Sequence, residues 1–158
     1  MKAAELFEVF GQDCARCREI ETELKETDDG SGIWGSADAA RTYSPRHEPG
    51  GVVEAVAFRR AKLLWELCQR AADLELPLDV IRGIRASVSA DMADVLTMRY
   101  ALGMPFNKIG VALGVSNKTA RRRHDEALNA VDDVGVARLA DAGRAARHQA
   151  TKRNGGRK

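Results

Sequence analysis

Five polar side chains crowd into six positions, Asn117-Lys118-Thr119-Ala120-Arg121-Arg122, and Arg123 and His124 follow at once. Amide, hydroxyl and guanidinium groups on one exposed helix face suit the edges of bases in a DNA major groove. There Arg can make a bidentate contact to guanine and Asn to adenine. Asn117, Lys118, Thr119, Arg121, Arg122, Arg123 and His124 are therefore the candidate DNA-binding residues. A charge run by itself more often marks a solvated face, but this one follows a turn signature at the spacing a DNA-reading helix requires. His124 reads as a boundary or phosphate-contacting side chain, since no partner stands at metal-ligand spacing.

A second group with potential chemistry is Cys14-Ala15-Arg16-Cys17. A redox pair of this spacing needs a preceding strand and a helix N-terminus to lower the thiol pKa, and here the pair falls inside a helical pattern. Zinc requires four ligands; packing of the two long helices could gather Cys14, Cys17 and Cys68 with His47, but His47 lies in the linker and there is no second CxxC. Cys17 is expected to behave as a small hydrophobe in a helix seam. No catalytic residue, metal site or cofactor is expected: there are no paired carboxylates in a recognisable site, no phosphate-cradling glycine loop and no nucleophile with an evident base.

The elements that must position the polar cluster can be read around it. Gly114-Val115-Ser116 supplies a glycine able to take positive φ, an apolar plug and an N-cap hydroxyl for a helix opening at Asn117. Upstream, Pro105 suits a first helical turn, and Phe106, Ile109 and Leu113 recur on one face. Downstream, Ala120, Ala127, Leu128 and Val131 form a single buried stripe. Two short helices about a tight turn, the second carrying the basic cluster, make a helix-turn-helix.

The pattern Val95-Leu96-x-Met98-Arg99-Tyr100-x-Leu102-Gly103, then Ile109-Gly110-x-x-Leu113-Gly114-Val115-Ser116, then Arg121 and Ala127-Leu128, resembles region four of bacterial sigma factors. It is similar, more closely still, to small phage and prophage proteins that join such a module to an N-terminal helical hairpin and are described as transcriptional regulators. The resemblance implies that Asn117, Lys118, Arg121 and Arg122 face bases while neighbouring positions hold phosphates. It also implies a surface for RNA polymerase. Two departures stand out. Where sigma factors bury an aliphatic residue in the recognition helix, this chain has Ala120 and then Arg123, whose stem can lie across the core rim. Nothing before residue 88 resembles a promoter-melting region, so the chain is not expected to open DNA.

Composition agrees with a helical protein: 158 residues, 44% hydrophobic but 5% aromatic. The net charge of +2 hides a segregation, with 14 Lys and Arg against 18 Asp and Glu through residue 117, and 11 against 5 from residue 118 onward. A basic end of this kind supplies salt-dependent, sequence-independent affinity for nucleic acid. No apolar stretch approaches the length of a membrane span or a signal-peptide core, which points to the cytoplasm.

In the first 27 residues, Ala3, Leu6, Phe10, Cys17, Ile20 and Leu24 fit one heptad frame broken by Asp13. Val53, Ala57, Leu64, Leu67, Ala71 and Leu74 repeat the spacing with Arg60 as misfit. This predicts a coiled-coil-like helical hairpin over 1–75 with a flexible linker at 27–51, or the same contact between two copies in a homodimer. Trp65 is expected to pack, and Trp34 lies in the linker. Pro77 is expected to end the second helix, and Ser89 to cap the one that opens the sigma-like module. The helix-turn-helix domain is placed at 76–135. From Val136 to Lys158 a helical start in Val136, Leu139 and Ala140 decays into a basic tail suited to phosphates.

The expected protein is thus all-α: a helical hairpin, a sigma region-four-like helix-turn-helix and a basic tail. Its expected function is sequence-specific binding of double-stranded DNA in transcription regulation. A small terminase-like packaging protein, or a module that binds RNA polymerase without base specificity, is the alternative.

Overall fold

In the computed structural model the described residues are 2–28 and 49–155. Most of the expected linker, with Trp34 and His47, and the end of the basic tail, with Arg157 and Lys158, lie outside them. Every regular element among the described residues is helical: α1 (Ala3–Asp28), α2 (Pro49–Asp73), α3 (Glu75–Ser87), α4 (Ala90–Leu96), a π-helical turn (Thr97–Ala101), α5 (Phe106–Ala112), α6 (Asn117–Val134) and α7 (Val136–Gly155). The two long helices run further into the expected linker than its 27–51 bounds, reaching Asp28 and starting at Pro49.

The chain divides into two compact units, one of residues 1–15 and 73–158, the other of 16–72. These boundaries differ from a hairpin confined to 1–75, because the first half of α1 belongs to the same unit as the helix-turn-helix. Ala3, Leu6, Phe7, Phe10 and Cys14 are buried with Val80, Ile81, Ile84, Leu96, Ala127, Val131 and Leu139. A helix enclosed by several neighbours buries a broad face, so Phe7 and Cys14 go inside beside the expected Leu6 and Phe10, whereas Cys17 is half-buried. The start of α1 is anchored by Asp132 of α6, whose carboxylate accepts from the Ala3 amide at 2.8 Å.

Within this unit, Pro77 does not end a helix; it sits in the first turn of α3, where its missing N–H leaves no bond unmade. Ser89 has the extended backbone of an N-cap for α4, but its side chain makes no capping bond. The largest departure from expectation is the stretch beginning at Val136. Instead of decaying at once into a tail, it forms α7, which packs along α3 at backbone contact. A Cβ added to Gly143 would stand 2.7 Å from the Asp79 carbonyl carbon, and one added to Gly83 would stand 2.7 Å from that of Leu139. Asp79 is buried at this seam, its carboxylate accepting from Arg82 at 2.7 Å and lying 3.6 Å from Arg147. Leu139 and Ala140 are buried as their helical pattern predicts.

The second unit is an antiparallel helix pair formed by α1 from Arg16 and α2 to Ala72. Arg16 forks onto Glu66 at 2.9 and 3.2 Å, and Glu23, two turns further along α1, lies 3.6 Å from Arg59, two turns back along α2. Glu66 accepts from Arg70 as well, at 3.2 Å. The fork with Arg16, then the bond from Arg70, holds the Glu66 carboxyl below its ordinary range. Ile20 and Leu63 are buried in this unit. The expected apolar seam on α2 is therefore rotated: Leu63 is buried and Glu66 meets α1, Leu67 and Leu74 are half-buried, and Ala57, Leu64 and Ala71 are exposed. Trp65 is exposed as well, contrary to its expected packing role.

Candidate nucleic-acid interface

The polar cluster is held by a turn whose geometry follows from three residues. Gly114 has φ +64°, and the Val115 amide donates back to the Gly110 carbonyl at 2.8 Å. A Cβ on Gly110 would meet the Val115 carbonyl oxygen at 2.8 Å, so α5 approaches the turn more closely than any side chain allows. Ser116 caps α6 as expected, its hydroxyl accepting from the Thr119 amide at 3.0 Å. Below the turn Val95, Ile109 and Ala120 are buried, with Met98, Met104, Phe106, Leu113 and Val115 packed around them. Ala120 thus occupies the point where α6 leans on α5, and Ala127 and Val131 continue its buried stripe.

The exposed side of α6 carries Asn117, Lys118, Arg121 and Arg122, which the fold brings onto one surface. They are partly preorganised. Arg121 donates to the Asn117 side-chain oxygen at 3.2 Å, a bond that does not use the two N–H donors of the Asn117 amide. Arg122 lies 3.5 Å from Glu126 one turn along the same helix. Thr119 is half-buried, its hydroxyl 2.8 Å from that of Ser116, and so belongs to the cap as much as to the surface.

Arg123 and His124 are placed differently from the expectation that they join this surface. The Arg123 side chain is 26% exposed and bridges to Asp91 on α4 at 3.0 Å, consistent with a stem laid across the core rim. The His124 side chain is 12% exposed, 3.0 Å from the Tyr100 hydroxyl and 2.9 Å from Asp125. The reason is helical phase: positions 123, 124, 127 and 131 fall on the inner side of α6, and 117, 118, 121 and 122 on the outer.

Behind the surface runs a series of rings that the sequence pattern does not announce. Phe7 stacks on Tyr100 at 5.4 Å, Tyr100 on His124 at 5.7 Å, and Phe106 meets His124 edge-on at 5.2 Å. Tyr100 lies within the π-helical turn, where Leu102 donates to Thr97 five residues back, and such a turn changes the phase of the residues it contains. Burial raises the Tyr100 phenol pKa above its ordinary value. Phe106 also receives two cations, Arg99 with its guanidinium carbon 5.1 Å and Arg121 with its own 5.5 Å from the ring centroid. Arg99 and Phe106 thus brace the basic surface. Their signal in the sequence was limited to an arginine beside a tyrosine and an aromatic at a helix start.

Among the described residues, no group of three or more His, Cys, Asp or Glu could hold a metal ion, and no helix is long and apolar enough to cross a membrane. Cys14 is buried, Cys17 half-buried and Cys68 exposed, and none of the three forms a disulfide.

Two helices about a glycine turn, the second presenting amide, ammonium and guanidinium groups to solvent, define a DNA-binding helix-turn-helix. Residues 86–132 match the family described as Sigma-70, region 4, so this module is sigma region-four-like. No curated protein and no solved structure matches the chain.

Proposed function

We propose that this protein reads a specific sequence of double-stranded DNA through α6 and regulates transcription from that site. In this reading it is a cytoplasmic regulator of phage or prophage type, without catalytic activity, that works as a pair of chains joined through their N-terminal helices. The observation that carries the proposal is the division of α6 into two faces: Ala120, Ala127 and Val131 buried, Asn117, Lys118, Arg121 and Arg122 exposed around a capped N-terminus. Arg121 and Arg122 each suit a guanine, and the N–H donors of the Asn117 amide suit a base or a phosphate. Arg123 and His124 fix the pose of the helix from behind. The basic residues of α7 and beyond add affinity that does not depend on sequence.

A sigma region-four-like module also supports contact with RNA polymerase, which fits regulation at a promoter. The rival reading is a packaging protein, in which the same helix-turn-helix serves a ring of many subunits. In vitro selection from random duplexes separates them. The proposal expects one short recovered motif, protected in a footprint, from which transcription changes when the protein is added. Recovery of no motif, together with assembly into large rings, contradicts it.

A further inference from the structure

The outward face of α2 is apolar and uncovered in a regular way. On the side of the helix opposite buried Leu63 stand Phe58, Ala61, Trp65, Cys68 and Ala72, with Ala57, Leu64 and Ala71 along one flank, and all eight are exposed. Phe58 is 75% and Trp65 67% exposed. The spacing of 58, 61, 65, 68 and 72 alternates three and four, the a and d positions of a heptad. The flank adds g positions, which gives the three-sevenths apolar face of a helix built into a bundle. Glu54, at the d position before Phe58, and Lys62 are the charged residues within this surface, and Gln69 the polar one. Two aromatic rings with this much area in water cost free energy unless something covers them.

Deepening the proposal that two chains work together, we infer that this face pairs with the same face of a second copy, with the two α2 helices antiparallel. The sizes of the side chains select both the partner and the direction. Phe58 and Trp65, the large residues, are both at a; Ala61 and Cys68, the small ones, are both at d. In an antiparallel pair, a of one helix lies against d of the other. One register sets Phe58 against Cys68 and Trp65 against Ala61, and by symmetry the reverse, so that each layer holds one large and one small side chain. A parallel pair stacks Phe58 on Phe58 and Trp65 on Trp65, which overfills two layers, and leaves voids where Ala61 and Cys68 meet themselves. The face is thus complementary to itself under a two-fold axis, as an isologous dimer requires.

Flank and area agree with the assignment. The same register sets Ala57 against Ala71 and Leu64 against Leu64, while the two Lys62 residues meet across the two-fold axis, where their long stems can carry the ammonium groups apart into water. The stripe offers on the order of 600 Å² per copy, the lower end of specific interfaces.

The test uses the full-length chain without DNA, so that its outcome is independent of base reading. Sedimentation equilibrium is expected to show a dimer, with Trp65→Glu weakening association by about thirtyfold or more while helical circular dichroism is retained. Phe58→Cys is expected to give, under mild oxidation, an intermolecular disulfide to the native Cys68, located by peptide mapping. The native chain under the same conditions is expected to give no efficient link between two copies of Cys68, which antiparallel packing holds apart. A monomeric native chain overturns pairing altogether. A dimer that survives Trp65→Glu overturns this face but leaves dimerisation elsewhere on the N-terminal helices standing. An efficient link between two Cys68 residues overturns the antiparallel direction.

Discussion

Gly143→Ala should destabilise the protein although it replaces a helical glycine with the best helix former. Propensity alone favours the substitution by about 1 kcal/mol. The new Cβ, however, would lie 2.7 Å from the carbonyl carbon and 3.0 Å from the Cα of Asp79, atoms of a helix backbone that cannot swing aside. Relief requires α7 to move off α3 by about an ångström, and such a gap forfeits a quarter to a half of the dispersion between the facing atoms. Val80, Ile84 and Leu139 are buried at or beside this seam. At about 2 kcal/mol for burying each of these side chains, the gap loses some 1.5–3 kcal/mol. Residual overpacking adds about 1–3 kcal/mol, and the net cost after the propensity gain of about 1 kcal/mol is about 1.5–5 kcal/mol. Urea unfolding of the full chain reads this as a lower midpoint at unchanged slope. Ala145→Gly, on the exposed side of the same helix, is the control and should lose about 1 kcal/mol from propensity alone. A Gly143→Ala protein as stable as the native one would refute the backbone contact between α3 and α7.

Two further outcomes follow from the turn and the ring series. Gly110→Ala should cost more than Gly114→Ala: the first meets the Val115 carbonyl oxygen at 2.8 Å, whereas the second meets no atom within 4 Å and bears the cost of its positive φ alone, about 1–2 kcal/mol. Paired thermal melts decide this. Tyr100→Phe keeps the stacked rings but removes the hydroxyl from His124, which should cost about 1 kcal/mol. The Tyr100 pKa is raised on folding, so its stabilising contribution is complete below the ordinary phenol pKa and lost as pH rises through the raised value. An ultraviolet titration should therefore show a tyrosinate component above pH about 10 that is missing from Tyr100→Phe.

The helix-turn-helix was legible because each of its parts depends on local chemistry. Gly114 takes positive φ, Ser116 caps, and Ala120, Ala127 and Val131 keep one phase along α6, as their types and spacing foretold. Positions near a face boundary were less legible. Arg123 and His124 continue a basic run in sequence, but 100° of rotation per residue carries them to Asp91 and Tyr100. The π-helical turn that brings Tyr100 between Phe7 and His124 changes helical phase without any glycine or proline inside it, so periodicity could not announce it. On α2 the expected frame through Ala57, Leu64, Leu67 and Ala71 falls between the inward face of Leu63 and Glu66 and the outward face of Phe58 and Trp65. The fork of Arg16 onto Glu66, a contact fifty residues apart in sequence, lies on the inward side with buried Leu63, opposite exposed Trp65, and no local spacing signals it. The stretch from Val136 looked too basic to be core, because the decisive residues, Gly83 and Gly143, act through the side chains they lack.

The central claim is that α6 discriminates between DNA sequences through Arg121 and Arg122. The direct measurement is the ratio of affinities for a selected site and a scrambled duplex at fixed salt, for the native chain, Arg121→Ala and Arg122→Ala. Each substitution should lower that ratio by about 1–3 kcal/mol, five- to 150-fold, while the affinity for scrambled DNA changes far less. If both variants keep the native ratio, or lose affinity equally for both duplexes, the outer face of α6 does not read bases.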